Sequence, residues 1–344
     1  MIVHHHGPDT PETHYEDVAV TGGAGFVGRH LVTALSTLSR KVTVVDHAPL
    51  PPGLAELPGV SHVRADLRDY GETLLALRNA DAVFHLAGNA SGTESVADPR
   101  RDFHLNALAT CNVGNACLEL GVRRLVYLSS AIVYGTPRRS PIHEDHPTRP
   151  FLPYGASKLS GELTLRSLHA TAGLPVVTGR SFVVYGPGED PRRAGGEVSQ
   201  FLRWHLNEQP IPVVGDIDRK RRDFIHVEDL CRALITLADR GADGETYNLG
   251  TGTAVSMREL AAEVGTATGR PALLDADPSS LADSFTLLAD TTRLQGLGFA
   301  PRITLAEGLA RLADLLGRFP ELPTARAVFR RETPERRSLE ARTC

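Results

Sequence analysis

Tyr154 and Lys158 stand four residues apart in the run Tyr-Gly-Ala-Ser-Lys. On an α-helix that spacing puts both side chains on one face. A free phenol titrates near ~10 and is a poor base at neutral pH. A neighbouring ammonium favours the phenolate and lowers that value. The pair then suits withdrawal of a proton from a hydroxyl group. Ser130 follows the apolar run Arg124–Ser129 and offers a hydroxyl to the same oxygen. A tyrosine four residues before a lysine is common by chance, so its meaning depends on what stands beside it.

What stands beside it is a glycine-rich turn from Thr21 to Gly28. Gly23, Gly25 and Gly28 satisfy G-x-G-x-x-G, and Gly22, Gly25 and Gly28 satisfy G-x-x-G-x-x-G. A strand-like run precedes the turn, a helical run follows it, and Asp46 closes the next strand 21 residues beyond Gly25. That context reads as a dinucleotide site. Glycines permit the tight turn, the approach of backbone to pyrophosphate and close helix–sheet packing, while free N–H groups at the helix start meet the anion. A carboxylate at Asp46 accepts hydrogen bonds from the adenosine ribose and repels a 2′-phosphate, which favours NAD over NADP. A positive nicotinamide beside Tyr154 would add to the effect of Lys158. Asp66, after the third strand, reads either as an adenine contact or as a turn residue.

These residues need a frame. Strands are expected at Asp17–Val20, Lys41–Asp46, Val60–Arg64, Ala82–Leu86 and Arg124–Ser129, with helices such as Phe26–Ser39 and Asp102–Leu120 between them. Buried strands alternating with helices predict an α/β fold, a Rossmann-type doubly wound parallel sheet. Ligands of such sheets sit at the carboxyl ends of the strands. Residues 17–186 form the expected NAD-binding domain. Pro187–Gly196 reads as a loop leaving the sheet, Glu197–Leu206 and Ser256–Thr268 as helices, and Thr246–Leu249 as a strand returning to it. Residues 187–317 are therefore expected to form mainly a smaller C-terminal substrate-binding lobe. Residues 1–16 read as a disordered leader and 318–344 as a charged tail.

The 344 residues are 41% hydrophobic and 23% charged, with a formal net charge of −4. Slight acidity argues against nucleic acid as a partner. No apolar run reaches the ~18 residues of a membrane span. Cys111, Cys117, Cys231 and Cys344 form no C-x-x-C pair, so neither zinc nor a disulfide framework is implied, and a reduced, cytoplasmic setting fits. No metal is expected: His143-Glu-Asp-His146 reads as an acidic loop. His85 reads as a structural histidine and Trp204 as lobe packing.

The motifs TGGAGFVG, HLAG (His85–Gly88), SSAIVYG (Ser129–Gly135), YGASK, VVYGPGED (Val183–Asp190), RRDFIHVEDL (Arg221–Leu230), YNLGTG (Tyr247–Gly252) and LGFAPRITLAEGL (Leu297–Leu309) span nearly all of residues 18–315. Together they resemble the extended short-chain dehydrogenase/reductases, in the NAD-dependent epimerase/dehydratase branch. The resemblance implies that Ser130, Tyr154 and Lys158 are catalytic, with Lys158 also holding the nicotinamide ribose. It implies cofactor contacts at Gly22, Gly25, Phe26, Val27, Gly28, Asp46, Asp66, Leu67, Leu86, Ala87, Gly88, Asn106, Ser129, Tyr154 and Lys158. It places Ser130, Tyr154, Val183 and Arg222 against the substrate, Arg222 on the diphosphate of a nucleotide-sugar, UDP-linked by this reading. The alternative for Arg222 is an ion pair with Asp223 or Glu228. A homodimer is implied, paired through the helices after the fourth and fifth strands.

The resemblance also discriminates between reactions. Dehydratases of the family carry an Asp-Glu pair directly after the catalytic Ser or Thr; here Ala131 and Ile132 stand there. An epimerase needs only oxidation, turning of the keto-sugar and return of the hydride, so C4 epimerisation of a UDP-hexose or UDP-hexuronate is the expected activity. A dehydrogenase, reductase or lyase acting on a modified nucleotide-sugar is the alternative, because two family positions are changed. The family asparagine before VYGP is Val183, and its R-x-G-D reads Ser280-Leu-Ala-Asp283. Arg219–Arg222, or Arg192 and Arg193, are candidates to replace the missing arginine.

Overall fold

The computed structural model describes residues 15–192, 196–277 and 284–323. The leader up to residue 14, most of the charged tail, Arg193 and the Ser280–Asp283 stretch lie outside the described residues.

The chain opens as strand β1 (Asp17–Thr21), helix α1 (Phe26–Leu35), β2 (Lys41–Val45), β3 (Val60–Val63), α2 (Tyr70–Leu77) and β4 (Ala82–His85). It continues through α3 (Gly92–Ala97), α4 (Pro99–Phe103), a π-helical turn at His104–Leu108, α5 (Ala109–Glu119) and β5 (Arg124–Ser130). A 3₁₀ turn (Ala131–Tyr134) leads to α6 (Pro153–Ala172), β6 (Val176–Ser181) and β7 (Val183–Tyr185). Then come α7 (Glu197–Leu206), β8 (Ile211–Val214), β9 (Arg221–Arg222), β10 (Phe224–His226), α8 (Val227–Arg240) and β11 (Thr246–Leu249). The last elements are β12 (Val255–Ser256), α9 (Met257–Thr268), β13 (Leu274–Asp277), β14 (Thr286–Leu287), α10 (Thr292–Gly296) and α11 (Leu305–Leu316).

Seven strands pair in parallel in the order β11-β6-β5-β4-β1-β2-β3. The order reverses between β1 and β4, so the glycine turn after β1 and the turn after β4 flank the switch point, where such sheets bind ligands. Alternation along the strands sorts the core. Val18, Val20, Val42 and Val44 pack with Leu31 and Leu35 of α1 and Leu230, Leu234 and Leu237 of α8. Ala19, Val83, Leu125 and Tyr127 face Val113 of α5 and Leu165 of α6 on the other side. Burying each large aliphatic side chain contributes ~1.5–3 kcal/mol, which is what fixes register where one-residue slips would exchange the faces.

The expected elements are present with small shifts. The first helix stops at Leu35, not Ser39. Asp102–Leu120, read as one helix, is three pieces, because the π turn interrupts it. β6, which the sequence reading did not single out, supplies the neighbour that β11 pairs with. From Val183 onward the described residues build three small sheets and a separate apolar cluster around Tyr185, Phe201, Leu202, Met257, Leu260 and Leu309. Trp204 packs against that cluster. From this half α8 returns to the face of the main sheet and β11 to its edge, and Leu294 of α10 joins the same core.

Candidate active site

The glycine turn is built as a cradle. Gly22 has φ +70°, and a Cβ there would lie 2.7 Å from the Ala87 nitrogen. A Cβ on Gly28 would lie 2.2 Å from the Gly22 carbonyl. Only hydrogen fits at either place, and the β1 and β4 turns close on one another. Gly25 is the N-cap of α1, with no side-chain cap and no acidic residue in the first turn. The first N–H groups of the helix are thus left for an anion. The Asp46 carboxylate ends β2 and accepts from the backbone N–H groups of Ala24 and Ala48 at 3.1 and 3.0 Å. It ties the adenosine end of the cradle to the turn. These features fit NAD: Gly22, Gly25, Gly28, Phe26 and Val27 would hold the pyrophosphate side and Asp46 the ribose.

Other expected cofactor residues divide. Leu86, Ala87 and Gly88 follow β4, and the Ala87 N–H donates to the Thr21 hydroxyl at 3.3 Å. Asp66 is taken by Arg68, whose guanidinium holds its carboxyl below the usual range, and Leu67 is packed into the core. The Ser129 hydroxyl donates to Glu162 on α6, so its side chain is committed away from the cleft. His85 is fully buried between the Thr21 and Thr110 hydroxyls at 2.7 and 2.9 Å. Burial, with Lys158 adding, pushes its ring down to about 3.

Helix α6 carries Tyr154 and Lys158 on one face. Pro153 at its start needs no N–H partner, and Gly173 ends it in the left-handed conformation. The Ser130 side chain acts on the Tyr154 phenol and opposes its rise. Lys158 is buried; its ammonium donates to the Leu128 carbonyl at 3.0 Å and lies 5.2 Å from the centre of the Tyr127 ring. The two titrations differ from the expectation drawn from spacing. Burial pushes Tyr154 up to about 12, against the Ser130 hydrogen bond and with the Asp102 carboxylate adding to the rise. Burial pushes Lys158 down to about 8, against the carboxylates of Asp102 and Glu162. These residues alone therefore keep the phenol neutral.

A buried polar network, missed by the sequence reading, backs the site. Glu162, one turn beyond Lys158, forms a bidentate ion pair with Arg180 of β6 at 2.7–3.2 Å. Arg180 also donates to the Glu144 carbonyl and lies over the Tyr134 ring at 4.8 Å. Glu144, from the loop read as acidic, accepts from the Asn248 N–H at 2.8 Å. The signal that could have exposed this network was the continuation of the Tyr154–Lys158 spacing to Glu162. Ala131 enters an apolar cluster with Val133, Tyr134, Ile142, Phe182, Leu287 and Ala289, with Val183 and Phe285 packed on it.

Arg222 is buried, and its acid is neither of the two expected. Its Nε lies 3.4 Å from Glu197 at the start of α7. Its Nη1 donates to the carbonyls of Phe285 and Arg221 at 2.8 and 3.1 Å, and its guanidinium lies 4.9 Å from the Phe285 ring centre. Asp223 instead accepts from Thr251, Gly252 and Ala289. Lys220 is buried beside the same Glu197, at 3.8 Å. Arg221 pairs outward with Glu259, and Arg219 is exposed. Of the basic run, Lys220 and Arg222 thus turn inward.

Fold and site define a dinucleotide-binding α/β enzyme with a Ser–Tyr–Lys cleft. Residues 18–250 match the model of the NAD-dependent epimerase/dehydratase family, and the chain belongs to that family. It is 34% identical over 305 residues to a UDP-glucose 4-epimerase of Mycolicibacterium smegmatis, covering 86% of this chain and 96% of that one. A dTDP-glucose 4,6-dehydratase of Streptomyces niveus is 30% identical over 315 residues, covering 86% and 91%. Among solved structures, MoeE5 in complex with UDP-glucuronic acid and NAD is similar, with a TM-score of 0.77 and 36% identity over 87% of this chain and 98% of that one. The cofactor is NAD. No helix among the described residues is long and apolar enough to cross a membrane.

Proposed function

We propose that this enzyme is a nucleotide-sugar epimerase that inverts C4 of a UDP-hexose or UDP-hexuronate through a transient 4-keto sugar. The observation that carries the reading is the pairing of an intact Ser130–Tyr154–Lys158 set with an apolar setting at Ala131. A water-eliminating enzyme needs acid–base groups after the serine, and Ala131 with Ile132 has none. The epimerase relative and the structure holding UDP-glucuronic acid and NAD support the same choice.

In this reading Tyr154 withdraws the proton of the C4 hydroxyl, and Ser130 hydrogen-bonds the same oxygen. Bound NAD would supply hydride acceptor and donor chemistry for the carbinol carbon, and its positive ring would offset the rise that burial imposes on Tyr154. Lys158, charged below about pH 8 and held from behind by Leu128, supplies the positive charge of the set. Turning of the 4-keto sugar would present its other face for return of the hydrogen, and Tyr154 gives its proton back to the oxygen. Residues 187–317 mainly form the lobe that holds the nucleotide-sugar, with Arg222 on the diphosphate and Val183 along the sugar.

Exposed Phe103 of α4, Leu108 of the π turn and Leu163 of α6 form the apolar surface through which two copies pair. The setting is cytoplasmic. Incubation of the purified protein with UDP-glucose, UDP-glucuronate and their N-acetyl forms, followed by NMR of the products, tests the reading. Appearance of a C4 epimer supports it. No conversion of any nucleotide-sugar, or stoichiometric NADH, counts against it.

A further inference from the structure

Asp102 on α4 is 2% exposed. Its Oδ1 accepts from the side-chain amides of Asn89 and Asn106 at 2.8 and 3.1 Å, and its Oδ2 accepts from the Ser157 hydroxyl at 2.6 Å. All three donors are neutral. A buried carboxylate satisfied only by neutral donors still requires a positive charge nearby.

Asn106 lies in the π turn, and its amide nitrogen donates to both Asp102 and the Ser157 hydroxyl, the latter at 2.9 Å. Its carbonyl oxygen Oδ1 is buried and has no partner. That oxygen faces the turn after β4: a Cβ built on Gly88 would lie 2.2 Å from it and 3.6 Å from the Lys158 ammonium. An orphaned acceptor and a cation thus converge on the turn that flanks the cofactor cradle. The orientation has a physical cause. An ionised carboxylate only accepts. The opposite rotamer of Asn106 would set oxygen against oxygen at Asp102.

The charges around Lys158 single out Asp102 further. Glu162, Tyr127 and His85 also face this ammonium from α6, β5 and β4. Tyr127 and His85 are held neutral by burial. Glu162 is matched by Arg180. Asp102 has only neutral hydrogen-bond donors, and its charge acts on Lys158 through space without a direct ion pair.

We propose that Asp102 is a positioning residue for the reaction: it turns the Asn106 amide so that Oδ1 and the Lys158 ammonium face the Gly88 turn together, and it is the counter-charge of that ammonium. The proposal rests on the reading of Tyr154 and Lys158 as the reacting pair.

The test is Asp102→Asn in the full-length, NAD-loaded enzyme. Asparagine preserves shape and can still accept from Asn106, but it removes the charge. Loss of the carboxylate destabilises the Lys158 ammonium and eases ionisation of Tyr154, so both limbs of the kcat/KM profile move to lower pH, by about one unit. The expected kcat at pH 8 falls about fivefold, as a one-unit shift of a limb near 8 requires, and recovers as pH is lowered, with KM little changed. A wild-type profile overturns the proposal, and so does a loss of rate that is uniform in pH. Should Asp102→Asn fail to fold, Asn106→Ala tests the orienting half: at least about a tenfold loss in kcat with the limbs in place supports it, and wild-type kcat overturns it. Tyr154→Phe is the control. Full activity there would defeat the underlying assignment, whereas an inactive Tyr154→Phe beside an unchanged Asp102→Asn defeats only the role of Asp102.

Discussion

The Lys158 ammonium donates to the main-chain carbonyl of Leu128 at 3.0 Å. That bond anchors the second turn of α6 to the end of β5, two residues before Ser130. The lysine and the serine are therefore placed by the same strand end. The price of this placement is burial, which pushes the ammonium down to about 8. Its folded value lies below its ordinary one, so the charged form is lost as pH rises through about 8. We expect kcat/KM to fall on the alkaline side with a midpoint near that value. A pH–rate profile of the purified enzyme checks it, and a rate that stays level to pH 10 would contradict it.

Breaking the network behind the site should be expensive. Arg180→Met leaves Glu162 buried without its cation, which costs about 3–5 kcal/mol. Replacing both residues with apolar ones of similar volume removes the orphaned charge and recovers part of that loss. Chemical denaturation of the single and double variants measures the difference. Equal losses in the two would show that the charge is not the cause.

The apolar setting of Ala131 carries its own prediction. Ala131→Asp places a carboxylate among Val133, Ile142, Phe182 and Leu287. We expect destabilisation of at least about 2 kcal/mol and no gain of water elimination, because Ile132 supplies no second acid–base group. Thermal unfolding and NMR of the products read the two effects separately.

The sequence carried the frame well where periodicity is strong. Glu197–Leu206 and Thr246–Leu249 have the bounds expected of them, and the glycine turn, Asp46 and the Tyr154–Lys158 face lie where spacing put them. It carried less where tertiary contacts decide. The π turn at His104–Leu108 has no local signature, because its residues are as helical as their neighbours. The acid beside Arg222 is Glu197, 25 positions away in the chain, so short-range pairing rules pointed to Asp223 and Glu228 instead. The direction of the Tyr154 shift was also illegible. Spacing announces the ammonium, but burial sets the larger effect, and burial is a property of the folded packing around the phenol.

The central claim is that one hydrogen leaves C4 and returns to it on the other face, with Tyr154 moving the proton. The direct measurement is conversion of UDP-glucuronate, and in parallel UDP-glucose, deuterated at C4, with the enzyme and sub-stoichiometric NAD, followed by NMR. The account predicts a C4 epimer that retains deuterium at C4 with wild-type enzyme and none with Tyr154→Phe. Washout of the deuterium, accumulation of NADH in proportion to product, or turnover by Tyr154→Phe would contradict it.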